Sequence, residues 1–325
     1  MQIGIIGANH RSSTLEEREK IAKAFQYALV SKARNTVFIN TCNRTELYFS
    51  SSLLAERHSQ ILCYLRPYLL GNVEHALYSY FGSECFQHLG RVITGIDSAI
   101  FGESEIQRQV KIAYEKERQR QALSPDLHYL FQKGLKIGKD IRTQILNEEG
   151  NAKLAAIILS KMLHAGLTCK KQTKILFIGH SMVNRSLIHF FKQNGWNRLK
   201  LCTRLAVKSQ VSNIAEVSLE RLENWINYDV VIGATHFDGY ILKPRQSLKK
   251  VLLFDLSVPR IFDPKLQQAA NSLYNIDQLG KMIQRGGAKG KKEVKLSENI
   301  VFQAVERQMY LFRQKEVLKW RYAAC

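Results

Sequence analysis

The chain has 325 residues with 48 Lys and Arg against 28 Asp and Glu, a formal charge of +20 at pH 7, and six cysteines. That length suggests about two domains rather than one small stapled module, and cysteines with no CxxC pair exclude both a zinc cluster and a disulfide framework. The charge calls for a polyanionic partner, while the absence of a leader-like start or any apolar run near ~18 residues predicts a soluble, cytoplasmic protein with no membrane partner and no metal.

In chain order the first part reads as α+β: a strand over 3–6, a helix over 16–25, then two strand-like runs, Val37 to Ile39 and Leu47 to Phe49. Between those runs lies Asn40-Thr41-Cys42-Asn43-Arg44-Thr45-Glu46. A thiol at a rigid strand–turn–strand edge with a guanidinium two residues away is how a nucleophile is presented, because the cation favours thiolate over thiol. Thr41 and Asn43 add short polar groups that could orient a carbonyl. The same residues also read as a polar turn with an incidental cysteine, since free cysteines often serve as small core hydrophobes.

From Glu84 the pattern turns helical. His88, Gly95-Ile96-Asp97-Ser98, Gly102-Glu103-Ser104-Glu105 and Gln109 then form a dense polar constellation suited to a ligand. His88 can exchange a proton near neutrality, but beside Leu89 it reads equally as a satisfied core histidine. Asp97 and Glu103 read as caps or positioning groups. Ile106, Val110, Ala113 and Tyr114 recur at helical spacing, and Ser124-Pro125-Asp126 caps a further helix carrying Leu127, Leu130, Phe131 and Leu135. Gly134 and Gly138, one turn apart, predict a close helix contact.

A second domain begins around Lys170-Lys171-Gln172-Thr173. Strand-like runs at 175–178, 199–202, 230–232 and 251–254 alternate with helical stretches, as in a parallel sheet with crossover helices. Gly179-His180-Ser181-Met182-Val183-Asn184 stands where a dinucleotide fold places its glycine fingerprint, with only the first glycine present. This is equally a plain βα turn. Arg204, with Lys208 beyond it, follows the next strand where a cation would accept a 2′-phosphate, favouring NADP over NAD. Glycines at 286–290 interrupt the helical pattern, and a last amphipathic helix is expected from about Ser297, with Val301, Val305, Met309, Phe312 and Leu318 on its apolar face.

Taken together, Gly7-Ala8-Asn9-His10-Arg11, Thr41 to Tyr48, His88-Leu89, Gly95 to Ser98, Gly102-Glu103, Gln109-Val110-Lys111, Gly138 to Thr143, Asp255 to Arg260 and Tyr274 to Asp277 make the chain resemble the glutamyl-tRNA reductase family. The resemblance implies α/β and α+β architecture in three parts. These are an N-terminal α+β catalytic, glutamyl-binding domain over 1–155, a Rossmann-like NADP-binding domain over 156–282, and a shortened C-terminal helical segment over 283–325. It further implies that Cys42 attacks the ester of glutamyl-tRNA(Glu), that NADPH reduces the resulting thioester to glutamate-1-semialdehyde for tetrapyrrole (porphyrin) synthesis, and that an aminomutase takes the product. His88 takes the family's catalytic histidine position. Thr41, Asn43, Arg44, Ser98, Glu103, Ser104, Glu105 and Gln109 take the glutamyl-binding positions, with Arg44 also suited to hold the substrate carboxylate. Gly179 to Asn184 and Arg204 take the cofactor positions. The C-terminal segment implies a homodimer formed through the apolar face Val301 to Leu318.

Departures from the family pattern are Ser104 for Pro, Glu105 for Gln and Ser181 for the second fingerprint glycine. They leave open a tRNA-binding or regulatory homologue with impaired hydride transfer, and a glutamyl-tRNA esterase. A generic NADP dehydrogenase of a small acid fits the Cys42 turn and the charge less well.

Overall fold

The computed structural model describes residues 1–29, 33–100, 102, 105–144, 149–203, 215–245, 250–268, 272–285 and 288–323. They fall into two compact units, 1–148 with 287–325, and 149–286.

The first unit is built on an antiparallel sheet of order β2-β3-β1-β4, from β1 (Ile3–Asn9), β2 (Thr36–Asn40), β3 (Arg44–Ser50) and β4 (Tyr78–Phe81). Side chains alternate across a strand. Ile6, Ala8, Leu47 and Phe49 therefore pack on one face, against α1 (Leu15–Leu29) and α2 (Leu54–Leu65). Ile3, Ile5 and Tyr48 pack on the other face, with α3 (Gly82–Thr94), α4 (Glu105–Arg120) and α5 (Pro125–Gln144). Thr14 and Glu17 start α1 as a capping box, the Thr14 amide donating to Glu17 Oε2 at 2.8 Å and the Glu17 amide to Thr14 Oγ1 at 3.3 Å. Ser124 caps α5 as the sequence predicts, accepting the Leu127 amide at 3.3 Å. The glycines of α5 do what their spacing implies: a Cβ at Gly134 would lie 3.2 Å from Ile93 Cδ1, and one at Gly138 would run into Ile93 Cγ2, so α3 and α5 approach closely only because both are glycine.

In the second unit, α6 (Glu149–His164) precedes a parallel sheet of order β10-β9-β8-β5-β6-β7. Its strands are β5 (Ile175–Ile178), β6 (Leu199–Thr203), β7 (Ala215–Ser218), β8 (Val230–Gly233), β9 (Leu252–Asp255) and β10 (Ser272–Asn275). Helices α7 (Met182–Gln193) and α8 (Ile276–Arg285) accompany them. Numbered within this unit the order is 6-5-4-1-2-3, the doubly wound arrangement whose direction reverses between β5 and β8. The sequence pattern located four of these strands; β7 and β10 carry too few apolar residues to stand out.

The last helix departs from expectation twice. α9 runs Ala288–Ala323, starting nine residues before Ser297 and taking Gly290 into its first turn. Its face Val301, Val305 and Met309 belongs to the first unit's own core, and Tyr129 stacks edge-on against Phe312 at 5.0 Å. That apolar stripe is therefore already used within the chain. Leu318 has no described side-chain environment. Among the described residues no helix is long and apolar enough to cross a membrane.

Candidate active site

Cys42 lies where the sequence places it. β2 and β3 pair up to Asn40 opposite Thr45, and the Thr41 amide donates to the Arg44 carbonyl at 2.8 Å, leaving Cys42 and Asn43 as the tip of a tight hairpin. Thr41 Oγ1 accepts the Asn43 amide at 3.2 Å, and Thr45 Oγ1 donates to Asn40 Oδ1 at 2.9 Å, which stiffens the loop. The Cys42 thiol is half-buried and in no disulfide. Two groups that the sequence reading left unassigned brace this tip. The Arg18 guanidinium, fully buried on α1, donates to the Cys42 carbonyl at 3.2 Å, and the His10 amide donates to the Asn43 carbonyl at 2.9 Å.

Arg44 points inward rather than across the turn. Residues 44, 46 and 48 share one face of β3, so the guanidinium meets Glu46, its Nη1 2.9 Å from Glu46 Oε1, while Nη2 donates to the Asp97 carbonyl at 2.5 Å. The two Nη nitrogens expected to face a substrate carboxylate are thus engaged by Glu46 and Asp97, and the buried Nε of Arg44 has no partner among the described residues. His88 on α3 is buried with Nε2 2.9 Å from the same Glu46 Oε1. Burial alone would raise the Glu46 carboxyl, but Arg44 and His88 hold it far below the usual carboxylate range.

Helix α3 ends at Gly95, whose φ of 78° is the left-handed cap that turns the chain into Ile96-Asp97-Ser98. Asp97 is a positioning group here. Its Oδ1 accepts from Arg11 Nη1 and Arg91 Nη2, each at 2.9 Å, and despite burial Arg44, Arg91 and Arg11 keep its carboxyl below the ordinary value. Ser98 is buried and its Oγ has no partner among the described residues. Glu105 pairs with Arg108, so its extra carboxylate is charge-matched, and Gln109 sits half-buried one turn along α4. Glu103 and Ser104 lie outside the described residues.

His10 has both ring nitrogens buried without a partner among the described residues, and burial with Arg44, Arg11 and Arg18 nearby pushes its imidazole down to about 3. An unfolded chain takes up this proton at the ordinary value of 6.5, so the native state loses stability as pH falls from 6.5 toward that lower value. Asp255 works in the opposite sense. Burial pushes its carboxyl from 3.8 up to about 7, so its contribution is fully present below 3.8 and is lost as pH rises through 7. A plain acid melt would sum the two, whereas comparing wild type with His10→Gln isolates His10. The variant is expected to gain up to ~1.4 kcal/mol relative to wild type for each pH unit below 6.5. Parallel stability–pH curves would show that His10 titrates normally.

In the second unit the segment 179–184 turns from β5 into α7 at the reversal of strand order. Gly179 has φ +95°, and a Cβ there would sit 2.5 Å from the Ala234 carbonyl oxygen at the end of β8, so the first fingerprint glycine is required. Ser181 is the N-cap of α7, its Oγ accepting the Asn184 amide at 3.1 Å. Asn184 is fully buried and donates to the carbonyls of Ile178 at 2.9 Å and Gly179 at 2.7 Å. It ties helix to strand by hydrogen bonds where the family fingerprint uses a small residue. The amides of Met182 and Val183 open the helix, where first-turn N–H groups lack intrahelical acceptors and suit a pyrophosphate. His180 lies half-buried between strand and cap. Arg204 and Lys208 lie outside the described residues. The turn thus fits a nicotinamide dinucleotide despite its missing glycines.

Comparison with known proteins agrees with both units. Residues 6–145 match the family model of the glutamyl-tRNAGlu reductase N-terminal domain, and residues 161–282 that of shikimate/quinate 5-dehydrogenase. The glutamyl-tRNA reductase of Chlamydia pneumoniae is 30% identical over 97% of this chain and 94% of its own length. That of Chlamydia trachomatis serovar L2 is 36% identical over 79% of this chain and 77% of its own. Among solved structures, glutamyl-tRNA reductase from Methanopyrus kandleri shares the fold with a TM-score of 0.51 at 20% identity, over 99% of this chain and 82% of that one. Hairpin thiol, doubly wound second unit and near full-length similarity all converge: the chain belongs to the glutamyl-tRNA reductase family.

Proposed function

We propose that the protein converts glutamyl-tRNA(Glu) to glutamate-1-semialdehyde and free tRNA, the first step of tetrapyrrole synthesis, through a thioester on Cys42. The observation that carries this reading is the braced Cys42 hairpin beside buried polar atoms that lack partners among the described residues, Arg44 Nε and Ser98 Oγ, where a glutamyl group can be bound. Sγ of Cys42 forms the C–S bond as the ester C–O bond to the terminal ribose breaks. The thiol proton passes by way of His88 to the departing ribose oxygen, so protons balance. NADPH, when bound, supplies the hydride that takes the thioester to the aldehyde, and Arg204 supports the phosphorylated dinucleotide.

Gly179 to Asn184 would hold the pyrophosphate. Thr41, Asn43, Ser98, Glu103, Ser104, Glu105 and Gln109 would surround the glutamyl group, with Arg44 contributing Nε. The charge of +20 supports a polyanionic substrate. As partners we propose the aminomutase that consumes the aldehyde and a second copy of this chain. The second copy would use the side chains that α9 leaves exposed, Phe302, Tyr310 and Leu311, and not the stripe buried in the first unit.

The deciding experiment incubates the protein with glutamyl-tRNA, with and without NADPH, and follows aldehyde, free glutamate and intact ester. Aldehyde formed only with NADPH is the expected result. Free glutamate in both conditions would make the protein an esterase, and unchanged ester would overturn any catalytic role.

A further inference from the structure

We infer that Glu46 is the positioning residue of this site, the group that fixes which nitrogen of His88 accepts a proton and locks His88 to the hairpin carrying Cys42. This rests on the reading of Cys42 and His88 as the acyl-transfer pair.

The geometry is a four-way hub. Glu46 Oε1 accepts from Arg44 Nη1 at 2.9 Å, Tyr78 Oη at 2.7 Å and His88 Nε2 at 2.9 Å, and Oε2 accepts from Tyr48 Oη at 2.8 Å. The carboxylate is fully buried. An ionised carboxylate only accepts, so each of these four partners must be a donor. Burial and the Glu46 charge push the Tyr48 and Tyr78 hydroxyls well above their ordinary range, which keeps both protons in place. A neutral His88 therefore carries its proton on Nε2, and Nδ1 is left as the acceptor. Nδ1 makes no hydrogen bond among the described residues. The rings of Tyr78 and Tyr80, 5.4 and 5.0 Å away, flank the imidazole and restrict its rotation.

The hub also joins three elements. β3 carries Glu46 four residues after the nucleophile, α3 carries His88, and β4 carries Tyr78. Arg44 then extends the connection to the Asp97 carbonyl beside Ser98. Thus one carboxylate sets the tautomer of the proton acceptor and couples the thiol hairpin to the loop proposed to bind glutamate. A filler of the same shape that merely occupied the core would do neither.

The test is the tautomer itself, read by nitrogen NMR on the intact protein labelled with ¹⁵N-histidine, with the His88 signals identified by their loss in His88→Gln. Wild type is expected to show Nε2–H and a bare Nδ1. A wild-type His88 protonated on Nδ1 overturns the inference, and this arm needs neither substrate nor a variant of Glu46. In Glu46→Gln the amide can accept at one atom only, so the Nε2–H preference should weaken and kcat for aldehyde formation should fall on the order of 10²-fold, with KM for glutamyl-tRNA little changed. A folded Glu46→Gln protein with wild-type kcat also overturns it. Wild-type protein that forms no aldehyde would instead defeat the proposed function while leaving the tautomer result to stand or fall by itself.

Discussion

Cys42→Ser is expected to lose aldehyde formation by on the order of 10³-fold or more, with no labelled glutamate retained on the protein after denaturation. The substitution changes one atom at the tip of a hairpin whose strands, cap and braces are untouched, so folding should survive. Neither Arg18 on the carbonyl of residue 42 nor the Thr41 Oγ1 contact involves the thiol. What is lost is chemical. A serine hydroxyl has a much higher pKa than a thiol, so it offers far less of the ionised nucleophile at neutral pH. An oxygen ester on residue 42 would also accept hydride less readily than a thioester. Radiolabelled glutamyl-tRNA followed by denaturing electrophoresis reports the covalent step, and aldehyde trapping reports the second. A Ser variant that produced aldehyde at the parent rate would remove Cys42 from the mechanism.

The hairpin is the part of this site that local sequence shows best. Apolar residues on either side of Thr41 to Glu46 reveal two strands, and a short polar run between them leaves no room for anything but a turn. The doubly wound unit is legible for the same reason: its buried strands are continuous apolar runs. Strands β4, β7 and β10 were not, because Ser79, Glu216 and Asn275 dilute the apolar signal within only four residues each. Glu46 illustrates the deeper limit. Its spacing from Arg44 predicts a shared face, yet its contacts with Tyr78 and His88 span 32 and 42 residues of sequence, and no local pattern encodes a partner at that distance. Arg44 reads in the sequence as a cation beside the thiol with its fork open to a substrate carboxylate for the same reason, since the Asp97 carbonyl and the buried Glu46 that turn it inward are settled only by the fold. Asn184 shows the reverse case, a residue that reads as damage to a glycine fingerprint until its two hydrogen bonds to β5 and the following turn show how the helix is held.

Arg44→Met should cost about 3–5 kcal/mol of the stability of the first unit, because it strands the Glu46 carboxylate in the core while removing the hydrogen bond to the Asp97 carbonyl. Burial depresses the charged form of an uncompensated carboxylate, so in this variant the Glu46 pKa should rise above its unfolded value of 4.5, reversing the native depression. The sign of the pH dependence follows. Wild type keeps the Glu46 contribution at all pH values above 4.5 and loses it only as pH falls through its depressed native pKa. The variant instead gains a neutral, less costly Glu46 as pH falls through its raised pKa toward 4.5, so the difference between the two proteins should shrink over that range. Adding Glu46→Leu to Arg44→Met removes the stranded charge and should recover part of the loss, although Tyr48, Tyr78 and His88 are then left without their shared acceptor. Calorimetric melting of wild type, both single variants and the double variant at two pH values closes the cycle. Additive losses, or a gap that stays constant with pH, would mean that Arg44 and Glu46 do not act as a buried pair, and the hub that holds His88 would lose its foundation.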